Sequence, residues 1–397
     1  MSRSVDYPVL IIGGGMVGLY TAALLAQADI RCCVVEKNPY PSVDLHTPMV
    51  HPRVCALNWA SLDSLRRLGA WEHMETSAGY FRRLCAWQER QRRPVVFDCA
   101  EIAYPALGAN VPNAVTVEAL RLVCEAQPLV TVLTGYEPER LLVTDHSAVC
   151  AFTNGESISA SLLMGADGVH SWVREAAGIS TDIMPYNMHA MVTTIRTQKP
   201  HQQTGWQVFL EEGPFALLPL AEEHTSAVVW SQSPESAKRR AGLSAPERQA
   251  EMQEVFGDRL GPFVGQADAF AIPLTYHHAH TYSSDRVVLL GDAAHRIHPL
   301  AGQGVNLGCR DAEALVSSLA QVQARGGDLG SKTPLARYTR ARRLDNGLML
   351  KAMDALLQLY AWQGRFPELG NAGQKVVNQL PLIDKACMRY AMGLRNS

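Results

Sequence analysis

The sequence predicts an α/β chain: a doubly wound parallel-sheet domain with an inserted β-sheet and a helical C-terminal region. Three observations predict it. An uncharged apolar run, Val9–Ile12, leads into Gly13-Gly14-Gly15-Met16-Val17-Gly18, and a second strand-like run, Cys32–Glu36, follows within about thirty residues, the span of one βαβ unit. Residues 185–275 hold β-rich runs parted by Gly, Pro and polar turns. Residues 334–396 read as mostly helical.

In order along the chain, Val9–Ile12 is apolar on both faces, as a buried parallel strand requires. The run Tyr7–Ala28 is uncharged, but its glycines break the apolar core where a membrane span would be continuous, so it reads as strand, glycine turn and helix. Four prolines make 39–53 a loop, and Ala56–Leu68 reads as a helix ended by Gly69. Short extended runs occupy 81–112. Val115–Ala126 is expected to be helical, and Val130–Thr134, Leu141–Phe152 and Leu162–Gly165 to be strands. In the inserted sheet, Met191–Arg196, Trp206–Leu210, Phe215–Leu220 and Thr225–Ser231 are strands, with a helical insert at about 244–257. Val287–Leu290 returns to the doubly wound type, and a helix runs from Val305 to about Arg325.

Composition narrows the function. The chain has 397 residues, 47% hydrophobic and 19% charged, with 36 Lys+Arg against 38 Asp+Glu and a net charge of −2. That balance leaves no nucleic-acid footprint, and the low charged share suits a cofactor cleft or an apolar ligand. Nine cysteines, an odd number with no CxxC pair, imply neither a disulfide framework nor a zinc site; reduced thiols in a cytoplasmic protein fit. His277, His278 and His280 lack a carboxylate or thiolate at ligand spacing, so no metal is expected.

The chemistry lies in two glycine-rich turns. Gly13, Gly15 and Gly18 form GxGxxG between strand and helix, the Rossmann-type fingerprint for a pyrophosphate at a helix N-terminus, with Met16 and Val17 inside it. Glu36, at the end of the next strand and followed by Lys37, suits the ribose hydroxyls of an adenosine. Asp292, in Gly291-Asp292-Ala293-Ala294-His295, sits just past a strand end, where a carboxylate holds a sugar or ribityl hydroxyl or simply caps a helix. His298-Pro299-Leu300-Ala301-Gly302-Gln303-Gly304-Val305-Asn306 opens the following helix and offers backbone N–H groups and a positive helix end.

With these motifs on the page, the chain resembles the class A flavin monooxygenases, and within them the ubiquinone-biosynthesis hydroxylases. The signature running from Gly291 to Asp311 is matched nearly in full, and Gly165-Ala166-Asp167-Gly168 with Arg174 matches the family's mid-chain DG motif. Arg53 fits an arginine near the flavin, although Pro52 stands where an acidic residue is usual and Arg296 where a small one is. Phe81-Arg82-Arg83-Leu84 and Glu212–Leu220 point toward members acting on a methylated, methoxylated quinol.

The resemblance implies the class A flavin hydroxylase fold, with the FAD-binding domain in three parts (1–80, 113–184 and 276–330), substrate-domain strands at 81–112, a substrate-binding sheet domain at 185–275 and a helical region at 331–397. It implies FAD as cofactor, NAD(P)H and O2 as co-substrates, and hydroxylation of a polyprenylated quinol. The reaction in view is that of 2-polyprenyl-3-methyl-6-methoxy-1,4-benzoquinol, with another ring position or another small aromatic as alternatives, and a non-oxygenase NAD-binding protein as the remote one. Carried over residue by residue, FAD falls to Gly13, Gly15, Met16, Val17, Gly18, Glu36, Lys37, Arg53, Asp167, Asp292, Gly302, Gln303, Gly304, Val305 and Asn306, with Pro299 and His298 beside the reacting edge. Trp206, Phe209, Phe215 and Leu217 are candidate walls of the substrate pocket. A cytoplasmic enzyme peripheral to the inner membrane is implied, with homo-oligomers or other ubiquinone-biosynthesis proteins as partners. The C-terminal region, with Arg340, Arg342, Arg343, the run Met349–Tyr360 and the tail 370–397, is the candidate docking surface.

Overall fold

A computed structural model of the chain describes residues 5–89, 94–297, 303–365, 389 and 392–394. His298, Pro299, Gly302 and most of the tail after 365 lie outside the described residues.

β1 (Tyr7–Ile12) passes through the glycine turn into α1 (Met16–Gln27), and β2 (Cys32–Glu36) returns beside it. β3 (Val54–Asn58), α2 (Trp59–Arg67), β4 (Gly79–Phe81), β5 (Arg83–Gln88), β6 (Val95–Asp98), β7 (Gly108–Pro112) and α3 (Asn113–Glu125) follow. β8 (Val130–Thr134), β9 (Pro138–Val143), β10 (Ala148–Phe152), β11 (Ser157–Gly165) and the short α4 (Trp172–Ala176) lead to the long β12 (Thr181–Thr197). Then come β13 (Thr204–Leu210), β14 (Gly213–Pro219), β15 (Thr225–Gln232), α5 (Pro234–Gly242), α6 (Ala245–Phe256), β16 (Phe263–Gln266) and β17 (Phe270–Ala279). β18 (Ser283–Ser284), β19 (Val287–Leu289), β20 (His295–Arg296), α7 (Gly304–Gln323) and α8 (Lys332–Arg365) follow.

Among the described residues these strands build three sheets. The first has the order β18-β19-β11-β1-β2-β8, its central pairs parallel, with β10 and β9 added at one end of β11. Val9, Leu10, Ile11, Cys32 and Cys33 are fully buried in its core, as their two-sided apolar pattern requires. The second, nine-stranded sheet has the order β20-β17-β12-β15-β14-β13-β5-β6, with β16 on β12. β3, β7 and β4 make a third, small sheet.

Three element expectations change. Ala56–Leu68 begins as strand: Val54–Asn58 pairs with β7, and the helix starts only after Asn58, whose side chain caps it by accepting from Ser61 N–H. Leu141–Phe152 is a hairpin, turned where the Thr144 N–H donates to Ser147 C=O. Helix α5, capped by Ser233 with Pro234 at its first position, precedes the expected insert.

The nine-stranded sheet has two unlike faces. Register places Met191, Trp230, Phe215, Val208 and Trp87 in one row, and these pack with Met252 and Phe256 of α6. The adjacent row, Val192, Val229, Ala216 and Gln207, points the other way. On that second face Ala190, Val192 and Leu274 cluster with Val229 and Ile272. Tyr276, two residues beyond Leu274 along β17, packs against Ile297 and Leu307. Ile297 follows β20 and Leu307 lies in the first turn of α7, so the second face is the one turned toward the start of α7.

Candidate active site

The first glycine turn is shaped for a phosphate group. Gly13 has φ +106°, and a Cβ there would lie 2.5 Å from Ala166 C=O, so the DG segment sits directly against it. A Cβ on Gly18 would lie 1.9 Å from Gly13 C=O, which is the close helix–strand packing the motif requires. Gly15 differs: a Cβ there would meet nothing within 4 Å. Gly15 is the N-cap of α1, no side chain caps the helix and its first turn holds no acid. Open space before unsatisfied N–H groups and a positive helix end is what an anion needs. Glu36 accepts from Gly14 N–H at 2.9 Å and Asn38 N–H at 3.1 Å, which fixes its carboxylate at the turn. Lys37 and Arg53 are exposed; Arg53 leads into β3.

The GD segment is clamped from three directions. Asp311 on α7 accepts from Gly291 N–H at 3.2 Å, His277 of β17 bonds through Nε2 to Asp292 C=O at 2.7 Å, and Arg174 of α4 donates to Ala293 C=O at 2.9 Å. Among the described residues the Asp292 side chain has no such anchor; Arg296 stands 3.8 Å from it, and 43% of it is exposed. It is crowded by protein atoms yet within reach of solvent, and desolvation raises its carboxyl above the ordinary value. A carboxylate with free acceptor sites suits a polyol chain.

Asp167 is committed locally. Its oxygens accept from Ser171 Oγ at 2.6 Å and Val173 N–H at 3.0 Å, which fastens α4 to the DG turn. Desolvation raises its carboxyl, and those hydrogen bonds oppose the rise.

At the second loop, α7 starts at Gly304 after Gln303, without a capping side-chain bond and without an acid in its first turn. A Cβ on Gly304 would again meet nothing within 4 Å. Val17 joins the two turns, since Cβ atoms on Gly291 and Gly308 would lie 3.1 and 2.6 Å from it. Met16 is half-buried beside it, and Val305 packs on the same core. Asn306 is fully buried and holds β3, donating to Ala56 C=O at 2.8 Å and accepting from Asn58 N–H at 3.0 Å. It therefore braces the strand that Arg53 leads into.

Of the candidate pocket walls, Trp206, Phe215 and Leu217 belong to the cluster under α6, and Phe215 and Leu217 are fully buried there. Phe209 lies on the second face, with Ala216, Leu218 and Val229. Arg342, read from the sequence as a docking charge, is only 2% exposed and donates from Nε to Asp311 at 2.7 Å. Met349 and Leu350 are likewise buried, against Ile297 and Leu307.

Sequence reasoning missed the centre of this arrangement. Asp311 is fully buried and also accepts from His295 Nε2 at 2.5 Å and Asn346 Nδ2 at 3.1 Å. Burial would raise its carboxyl, but His295 and Arg342 hold it below the ordinary value. The signal was present as Asp311 in the signature and Arg342-Arg343 with Asp345-Asn346 downstream.

Burial lowers both His277 and His278 to about 4, so each is neutral near pH 7. A depressed histidine contributes stability above its unfolded value of about 6.5 and loses it as the pH falls toward the folded value. We expect up to about 3 kcal/mol per histidine to disappear between pH 6.5 and 4, with the contribution of Asp311 fading only below its ordinary range near 4. Urea midpoints that stay flat across pH 6.5–4 would contradict this.

Comparison with known proteins agrees with this geometry. A family model described as "FAD binding domain" matches residues 6–346. The 3-demethoxyubiquinol 3-hydroxylase of Escherichia coli is 36% identical over 391 residues, covering 97% of this chain and 98% of its own. Ubiquinone biosynthesis monooxygenase COQ6, mitochondrial, of Mus musculus is 33% identical, covering 91% and 85%. Among solved structures, p-nitrophenol 4-monooxygenase PnpA of Pseudomonas putida superposes over 100% of both chains with a TM-score of 0.78 at 19% identity, a likeness of fold.

Proposed function

The chain belongs to the FAD-binding family that includes the ubiquinone-biosynthesis hydroxylases, and on that premise we propose that it adds one oxygen atom of O2 to a polyprenylated benzoquinol. The ring position proposed is the one named in the Escherichia coli relative, the 3-position of a demethoxyubiquinol. When bound, FAD supplies the redox chemistry, taking reducing equivalents from NAD(P)H and activating O2.

The residues present fit that cofactor. Gly15 and the α1 N-terminus take the pyrophosphate, Glu36 the adenosine ribose and Asp292 the ribityl hydroxyls. Gln303, Gly304 and the α7 N-terminus would hold the end of the ring that becomes negative on reduction. The observation that carries the reading is the nearness of two surfaces around Ile297 and the start of α7: a dinucleotide cradle on one side and an apolar sheet face on the other. Phe209, Ala216, Leu218 and Val229 on that face hold the quinol ring and exclude water, which protects the activated oxygen from wasteful decay.

The test is direct. The purified protein should be yellow, should oxidise NAD(P)H faster with a demethoxyquinol analogue, and should place one labelled oxygen from O2 in the product. Unlabelled product or a colourless protein overturns the proposal.

Gly304 offers a finer test. Gly304→Asp sets a carboxylate in open space at the uncapped α7 N-terminus. It should disfavour the reduced, anionic ring by about 1–2 kcal/mol, lowering the flavin potential and uncoupling NAD(P)H oxidation from hydroxylation. A folded, flavin-loaded variant with the parent's potential and coupling would remove the loop from the ring's surroundings.

A further inference from the structure

We propose that the outward face of α8, together with the groove beside it, docks this protein on an anionic phospholipid surface. The inference rests on the hydroxylase reading only for its purpose, since a prenylated quinol resides in lipid and no helix of the described residues is long and apolar enough to cross a membrane.

The observation is a helix face that runs against ordinary patterning. Arg337, Arg340, Leu344, Leu348 and Lys351 follow one another at spacings of three and four residues, so they share one stripe, and all five are exposed. Leu344 and Leu348, one turn apart, are 67% and 59% exposed. An isolated exposed leucine is ordinary, but two stacked leucines bracketed by three cations form the pattern of a helix lying in a lipid interface. Among the described residues, Arg337, Arg340, Arg343 and Lys351 form no ion pair. Four uncompensated cations on one helix stand out in a chain whose net charge is −2.

Beside the stripe, α8 and the β18 segment enclose a groove of about 640 Å³ lined by Arg340, Arg343, Lys332, Ser284 and Leu344. Lys332 is already paired with Asp285 at 3.0 Å, which leaves Arg340 and Arg343 as the cations facing the groove. Hydroxyl and guanidinium donors above an apolar edge match a phosphodiester headgroup with its acyl chain below.

The placement has a use. The opposite side of the same helix buries Met349 and Leu350 against Ile297 and Leu307, which flank the flavin loop. A helix is about 10–12 Å across with its side chains, so the stripe holds the bilayer surface about one helix diameter from Ile297 and Leu307, on the side of the proposed site.

The experiment is co-sedimentation of the flavin-loaded full chain with vesicles of phosphatidylcholine alone and with added phosphatidylglycerol. Binding should require the anionic lipid and weaken with salt. Arg337→Glu with Arg340→Glu, and separately Leu344→Asp with Leu348→Asp, should each weaken it at least about tenfold, since each cation near such a surface contributes about fivefold. Both variants should keep the parent's flavin spectrum and its turnover of a quinol analogue without a prenyl tail. Unchanged vesicle binding by either variant, or equal binding to neutral vesicles, overturns the proposal. So does loss of self-association in the leucine variant with vesicle binding intact, which would make the face a contact between copies or with the tail. If the parent binds anionic vesicles through this face but does not turn over the tail-less quinol, the hydroxylase reading fails while the docking surface stands.

Discussion

Replacing Gly15 with valine is expected to yield a folded protein that retains no flavin. The two halves of that statement have separate causes. Gly15 has φ −77° and ψ −174°, a conformation open to any residue, and a Cβ there meets nothing within 4 Å, so the fold accepts the side chain. The same space is where a pyrophosphate must approach the α1 amides, and the isopropyl group fills it. A loss of two or more orders of magnitude in FAD affinity, about 3 kcal/mol or more, is expected. The ratio of flavin to protein absorbance after purification measures it, and a thermal melt of the apo form checks the fold. Gly18→Ala is the contrasting control: its methyl would lie 1.9 Å from Gly13 C=O, so this variant should fail to fold rather than fold without cofactor. A fully yellow Gly15→Val protein would remove the pyrophosphate from this turn.

Asp311→Ala should cost about 3–5 kcal/mol of stability, the usual result of stripping one partner from a buried charge pair. The substitution strips the buried Arg342 of its fully buried carboxylate, leaving it the partly exposed Asp345, and leaves Gly291 N–H without an acceptor. The damage should also reach the cofactor, because Gly291 adjoins Asp292 in the GD segment. Asp311→Asn, which keeps an acceptor of the same shape, should be less damaging but leaves Arg342 with Asp345, at the edge of the network, as its one carboxylate among the described residues. Urea unfolding of the parent and both variants tests the ranking. A cost below about 1 kcal/mol for Asp311→Ala, the range of an exposed pair, would show that the network is ornamental to the fold.

What was legible in the sequence is what is local. β1, α1 and β2 are set by apolar runs and by glycines whose steric roles act within one turn, and the structure places them with little change. The class A flavin hydroxylase fold and the FAD cofactor were legible because the Gly291–Asp311 signature is long and distinctive. Strand β3 was misread because Ala56-Leu57-Asn58 has no strand character of its own; its partner β7 lies about fifty residues away. The hairpin at Thr144–Ser147 has neither Gly nor Pro to announce it. Trp206, Phe215 and Leu217 looked like pocket walls because both faces of those strands are apolar, and only cross-strand register separates the face under α6 from the face toward the loop. Arg342 looked like a surface charge because its partner lies a helix away, and pairing across helices is a tertiary fact.

The strand order of the first sheet also bears on how the chain comes off the ribosome. β1 and β2 are close neighbours in sequence, but the other neighbour of β1 is β11, with Tyr7 set against Ala160, and β19 follows beyond it. At about 5–20 residues per second, the strand Val9–Ile12 waits roughly ten seconds or more with one apolar edge unpaired. During that interval a growing chain is a template for sticking to its neighbours. Slower elongation should therefore lengthen this exposure, and a chaperone that covers extended apolar segments has its first natural client in the opening strand, long before any flavin can be held.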